Sequence, residues 1–141
     1  AVTKLVNVRL IDRSNILSND AVLSVVDDIP FDVKRIFYIH SASTHQDRGD
    51  HAHRCCHQIY VCIRGSIFVE CTDGKETVGY TLTENSDCLH IPPMVWSTEK
   101  GFDKNTIFLV LCSEIYDEYD YIRSFDIFLE ENYEKEKESM G

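Results

Sequence analysis

The sequence predicts an all-β domain, a sandwich or barrel, followed by one C-terminal helix. Three observations carry this. Short runs rich in β-branched and aromatic residues recur from residue 21 to residue 112. Turn residues punctuate them at short intervals. From Asp117 onward the apolar spacing changes to steps of three and four.

Taken in order, the strand candidates are Ala21–Val26 (AVLSVV), Val33–His40 (VKRIFYIH), Gln58–Ile63 (QIYVCI), Ser66–Cys71 (SIFVEC), Thr77–Thr83 (TVGYTLT) and Thr106–Cys112 (TIFLVLC). Arg64-Gly65, Asp73-Gly74, Asn85-Ser86-Asp87 and Pro92-Pro93 separate them. Asp73-Gly74 is the clearest hairpin signal, because it supplies the positive φ of tight hairpins. Each strand has one face to bury, and a two-layer or closed all-β fold does this. Tyr121, Ile122, Phe125, Phe128, Leu129 and Tyr133 form the stripe of a helix over approximately 117–137. No linker or repeat divides the chain, so residues 1–141 read as one domain.

Composition narrows the function. At 43% hydrophobic residues the chain can build a core, and no apolar run approaches the ~20 residues that span a bilayer. AVTKLVNVRL lacks the features of a signal peptide, which predicts a cytoplasmic protein without a membrane partner. The net charge is −10, and most of it lies beyond residue 113. No basic stripe offers a nucleic-acid surface. Six cysteines without a C-x-x-C pair read as reduced thiols packed as small hydrophobes.

HAHRCCHQ (51–58) concentrates the chemistry. In an extended chain, His51, His53, Cys55 and His57 share one face. Three histidines on one face suit either a metal or acid–base work. A metal fits less well, because alternate residues of one strand lie about 6–7 Å apart and make awkward consecutive ligands. Imidazole, with an ordinary pKa of about 6.5, exchanges protons near neutrality.

G-D-H-A-H-R-C-C-H followed by Gly65 resembles the first motif of the cupin superfamily. In the segment resembling the second motif, Ser97 stands where a ligand histidine belongs. Read in order, F-D-V-K-R-I-F-Y-I (31–39), R-G-D-H-A-H (48–53), H-Q (57–58), I-P-P-M-V-W (91–96) and D-E-Y-D-Y-I-R (117–123) resemble the nucleotide-sugar 3,4-ketoisomerases. The resemblance spans roughly residues 29–129. It implies a cupin-type jelly-roll β-barrel, a homodimer, and catalysis with no metal and no cofactor.

The implied substrate is a dTDP-linked 4-keto-6-deoxyhexose, whose keto group moves from C4 to C3 through an enediolate. The resemblance casts His53 as the base at C3, His51 as its partner and Tyr38 as a hydrogen-bonding group to the sugar. Arg48 and Arg35 suit the diphosphate, since guanidinium offers forked donors to phosphate. His57 and Gln58 are expected to support the substrate site, and Asp50 to raise a neighbouring histidine pKa. A cupin epimerase, a metal-dependent cupin enzyme and a non-catalytic sugar- or nucleotide-binding cupin are the alternatives.

Overall fold

The structure is a computed structural model that describes residues 7–140. Two five-stranded antiparallel sheets share one core. The first runs β1 (Arg9–Ile11), β9 (Cys88–Ile91), β6 (Gln58–Arg64), β11 (Ile107–Cys112), β4 (Arg35–Ile39). The second runs β12 (Tyr121–Ile122), β5 (Arg48–His53), β10 (Trp96–Lys100), β7 (Ser66–Thr72), β8 (Thr77–Thr83). A separate ribbon pairs β2 (Ser14–Ser18) with β3 (Ala21–Val25).

The sheets do not close into the jelly-roll barrel expected from the sequence. Each sheet ends in edge strands, β1 and β4 in one and β12 and β8 in the other, and no ladder joins those edges among the described residues. The sheets form an open sandwich. Alternation along a strand marks which face is buried, and it is the same for both architectures.

Strand parity sorts the packing. Tyr60, Cys62, Leu89, Ile91, Phe108, Val110 and Cys112 from one sheet meet Ile67, Val69, Cys71 and Leu82 from the other in the central core. The alternate residues Ile59, Val61, Cys88 and Leu111 face outward, under Val26, Ile29 and Phe31. Arg13 ties the margin of this layer, donating to the carbonyl oxygens of Cys62 (2.8 Å), Thr83 (2.6 Å) and Ser86 (2.8 Å). Five of the six cysteines are buried and Cys55 is exposed, all of them free thiols.

The C-terminal helix α1 is Phe125–Met140, starting later than the spacing predicts. Asp117 instead caps a 3-10 turn over Glu118–Asp120, and Tyr121–Ile122 pairs with His53 and Ala52 as β12. Tyr121 and Ile122 fit the helical stripe by number, but the ladder to β5 claims their backbone. The Ser124 hydroxyl then accepts the Ile127 N–H at 3.3 Å and starts the helix. Phe128 docks α1 on the outer face of the second sheet, against Ala52, Trp96 and Ile122. No helix among the described residues is long and apolar enough to cross a membrane.

Candidate active site

The site begins with an irregularity in β5. Gly49 (φ +77°) and Asp50 (φ +60°) are both left-handed, and the β5–β10 register shifts between Ser97 and Thr98. Glycine is required at 49, because a Cβ there would collide with the Glu99 carboxyl group. Asp50 turns outward and accepts hydrogen bonds from Trp96 Nε1 at 3.1 Å and Thr98 Oγ1 at 3.4 Å. Beyond this bulge His51 and His53 face inward, while Ala52 faces the helix.

The two imidazoles meet edge to face with centroids 5.1 Å apart, and Tyr121 lies against both, at 5.0 and 4.4 Å. Each ring has its tautomer fixed. His51 Nδ1 lies 3.0 Å from the Gly49 carbonyl oxygen and His53 Nδ1 lies 2.8 Å from Asp120 Oδ2. Both acceptors require an N–H at Nδ1, which leaves a lone pair on each Nε2 of the neutral rings. His53 Nε2 is enclosed and has no partner.

Burial lowers the His51 pKa to about 4, assisted by the neighbouring His53. Asp50 acts in the expected upward direction and is outweighed. Burial also lowers His53, against the hydrogen bond and charge of Asp120. Both rings are therefore neutral at pH 7, the form a proton acceptor needs.

Arg35 and Arg48 each carry a buried, unpartnered Nε, and the charge of Arg35 reaches His53. The Arg35 guanidinium lies over Phe37 (5.6 Å) and Tyr116 (5.7 Å). Burial opposes its charge, but the neighbouring Tyr121 and Cys112 side chains more than compensate. Arg48 lies over Phe102 at 5.6 Å. Arg123 covers the outer side of Tyr121 at 4.3 Å and is held by Glu118 at 2.6 and 2.9 Å.

The floor is a buried polar chain. Tyr60 Oη lies 2.7 Å from Ser97 Oγ and donates to Gln58 Oε1 at 3.3 Å, and Ser97 Oγ lies 3.5 Å from Glu99 Oε2. Burial pushes the Glu99 carboxyl up to about 8. Gln58, expected to support the substrate site, lies in the interior as part of this floor.

Two expected members stand elsewhere. Tyr38 is 62% exposed and stacks on His40 at 5.5 Å. It follows Arg35 by three residues, so strand alternation sends it to the opposite face. His57 is separated from His53 because β5 ends at His53 and β6 starts at Gln58. His57 Nδ1 instead lies 3.0 Å from His90 Nε2, with Phe31 6.0 Å from both rings. Asp120 and Tyr121 were missed by the sequence reading. Their only signal was a place in the D-E-Y-D-Y-I-R segment, hidden by helical spacing.

The paired histidines, the arginines and the sandwich that carries them can be set beside known proteins. The family described as "FdtA: WxcM-like, C-terminal" matches residues 3–133. A TDP-4-oxo-6-deoxy-alpha-D-glucose-3,4-oxoisomerase of Aneurinibacillus thermoaerophilus is 34% identical over 123 residues, which is 85% of this chain and 88% of the relative. The chain belongs to the nucleotide-sugar 3,4-ketoisomerases of the cupin superfamily. As a member of that family it is an isomerase that moves a keto group between neighbouring sugar carbons.

Solved ketoisomerases agree in fold. The crystal structure of QdtA from Thermoanaerobacterium thermosaccharolyticum in complex with TDP has a TM-score of 0.87 and 36% identity, and the match covers 94% of this chain and 98% of that one. The TDP-fucose-3,4-ketoisomerase WlaRA of Campylobacter jejuni gives 0.81 and 33%, over 89% and 96%.

The buried Glu99 has a consequence for stability. Its folded pKa of about 8 exceeds the ordinary 4.5, so the folded state holds the extra proton between those values and stability falls as pH rises through them. The lowered pKa of His51 acts oppositely, but only between about 4 and 6.5. From pH 6.5 to 8 the Glu99 effect is unopposed by it. The midpoint of thermal unfolding should therefore respond less favourably to rising pH across that window in the unsubstituted protein than in a variant without this carboxyl. Glu99→Gln, which cannot ionise, should remove that destabilising contribution, so the difference in midpoint between the two proteins should change steadily from pH 6.5 to 8.

Proposed function

We propose that this chain converts dTDP-4-keto-6-deoxyglucose to a dTDP-3-keto-6-deoxyhexose by proton transfer at His51 and His53. The observation that carries the reading is the pair of neutral imidazoles 5.1 Å apart, each with its proton committed to Nδ1 and its lone pair to Nε2. The C3 proton is acidified by the C4 ketone. Its removal gives an enediolate, and reprotonation at C4 leaves the ketone at C3, with no net change in oxidation state.

Geometry favours exchanging the roles that the resemblance gives the two rings. A base must touch the C3 hydrogen. The His53 Nε2 is enclosed, whereas His51 is only half-buried and its Nε2 is not among the enclosed unpartnered atoms. His51 is the better base. His53, backed by Asp120, is the ring that shares and returns the proton. Tyr121, in contact with both rings, takes the sugar-facing place expected of Tyr38, where its hydroxyl can donate to the developing oxyanion.

Arg35 and Arg48 are proposed to hold the diphosphate through their guanidinium groups, which offer forked donors to phosphate oxygens. Support for the nucleotide comes from the relatives: QdtA holds TDP in its crystal structure, and the Aneurinibacillus enzyme acts on a TDP-4-oxo-6-deoxyglucose. The test is to incubate dTDP-4-keto-6-deoxyglucose with the protein in D2O and follow it by NMR. A C3 ketone with solvent deuterium at C4 is expected. Deuterium with the ketone still at C4 points to an epimerase, and binding without exchange points to a binding module.

The active form is proposed to be a homodimer. The β2–β3 ribbon presents Ile16, Leu17, Val22 and Leu23 to solvent, Leu17 at 79% exposure. A lone two-stranded ribbon is marginal in water. A second copy covering it would bury those side chains. Leu17→Glu should shift the mass measured by light scattering from dimer towards monomer, while Tyr38→Phe should leave both mass and turnover unchanged.

A further inference from the structure

Behind the histidine pair lies a set of groups that proton transfer does not fully use. The ligating atoms of His53, Cys56 and Asp120 all lie within 4.8 Å of one another. His53 and Cys56 are 4% and 1% exposed. Asp120 is fixed on both oxygens, Oδ2 against His53 Nδ1 at 2.8 Å and Oδ1 accepting the Cys55 N–H at 2.6 Å. One nitrogen and one sulfur from residues 53 and 56, with one carboxylate oxygen from the 118–120 turn, are the donor set of a four-coordinate site with its fourth position open to water.

An access route is also present. A cavity of about 380 Å³ lies on the far side of Asp120, lined by Arg54, Cys55, Glu114, Ile115, Asp117 and Tyr119 as well as Asp120 itself. The one cation in this lining, Arg54, is already held by Glu131 at 2.7 and 2.9 Å. Glu114 faces Lys34 at 3.7 Å, which leaves Asp117 and Asp120 to set the sign of the opening and favour cations.

We propose that a thiophilic divalent cation of the zinc, cobalt or cadmium class enters through this cavity, binds His53 Nδ1, Cys56 Sγ and Asp120 Oδ2, and inhibits the enzyme. Metal–sulfur and metal–nitrogen bonds form. The Cys56 S–H bond breaks and its proton passes to water, the His53 proton moves from Nδ1 to Nε2 so that a neutral imidazole binds, and no electron is transferred. The sulfur selects this class over magnesium and calcium, which prefer oxygen. Inhibition follows because the metal takes the nitrogen and the oxygen that now hold His53 in its tautomer. That half of the proposal rests on the assignment of His53 and Asp120 to proton transfer. The binding half does not.

Cobalt titration of the whole protein tests the binding half alone. A thiolate-to-cobalt charge-transfer band with intense four-coordinate visible bands is expected in the unsubstituted protein and in Cys55→Ser, and is lost in Cys56→Ser. No band, or a band that survives in Cys56→Ser and disappears in Cys55→Ser, overturns the site. Turnover tests the other half. Added zinc should abolish it and a chelator should restore it, whereas Cys56→Ser, whose sulfur has no part in proton transfer, should keep its turnover in zinc. Full turnover with the cobalt band saturated would overturn the inhibition and with it the role of His53. A rise in turnover with zinc would overturn it in favour of a metal-dependent reaction.

Discussion

Replacing His51 by asparagine is expected to lower turnover by about a hundredfold to ten-thousandfold, the usual worth of a positioned general base. Affinity for TDP should be nearly unchanged, because the proposed diphosphate grip is Arg35 and Arg48. Asparagine keeps a donor towards the Gly49 carbonyl but offers no lone-pair nitrogen of useful basicity. The informative measurement is loss of the C3 proton in D2O under single-turnover conditions. His51→Asn should abolish exchange at C3, and His53→Asn should slow delivery to C4 more than removal from C3. If His53→Asn is the variant that abolishes C3 exchange while His51→Asn retains it, the roles revert to those the sequence resemblance suggests. The same lone pair sets a pH profile. With His51 depressed to about 4, kcat/KM should not decline as pH falls from 7 to about 5, where an ordinary histidine would already be losing its competent form.

Asp120→Asn should be nearly as damaging, at about a hundredfold or more in kcat, with a smaller effect on KM. The carboxylate accepts from His53 Nδ1 at 2.8 Å and stabilises the imidazolium that forms when the ring is protonated. A neutral amide can present its NH2 to that nitrogen and reverse the tautomer. Nitrogen-15 NMR of the ring should then show the proton moved to Nε2, a change that mere loosening of the loop would not produce. The sign on basicity is also fixed. Asp120 raises the His53 pKa against the lowering by burial, so its loss should lower it further.

Residues whose placement follows from a strand's own alternation were legible in advance. The strands near 35–39, 58–63, 66–71, 77–83 and 107–112 stand close to where composition puts them. The H-x-H pair faces inward, with Ala52 outward between its members. What escaped depended on contacts distant in sequence. Asp120 lies 67 residues from His53, and its neighbours fit a helical stripe until the ladder with β5 takes them. His57 was placed with His53 by parity, and parity fails because the chain turns between β5 and β6. The resemblance gives Tyr38 a place at the sugar, whereas strand alternation separates it from Arg35. Closure of the sheets lies at their edges, where no periodicity reports it.

The two-residue strand β12 joins regions that chemistry and packing would otherwise keep apart. Tyr121 meets the histidine rings, and the next residue, Ile122, is buried against Phe128 of α1. Asp120 immediately precedes them. Helix docking and assembly of the dyad therefore share one equilibrium, so the competent fraction of molecules cannot exceed the fraction with α1 seated. Any undocked population would appear as a reduced concentration of active enzyme, with the chemical step unaltered in the molecules that remain.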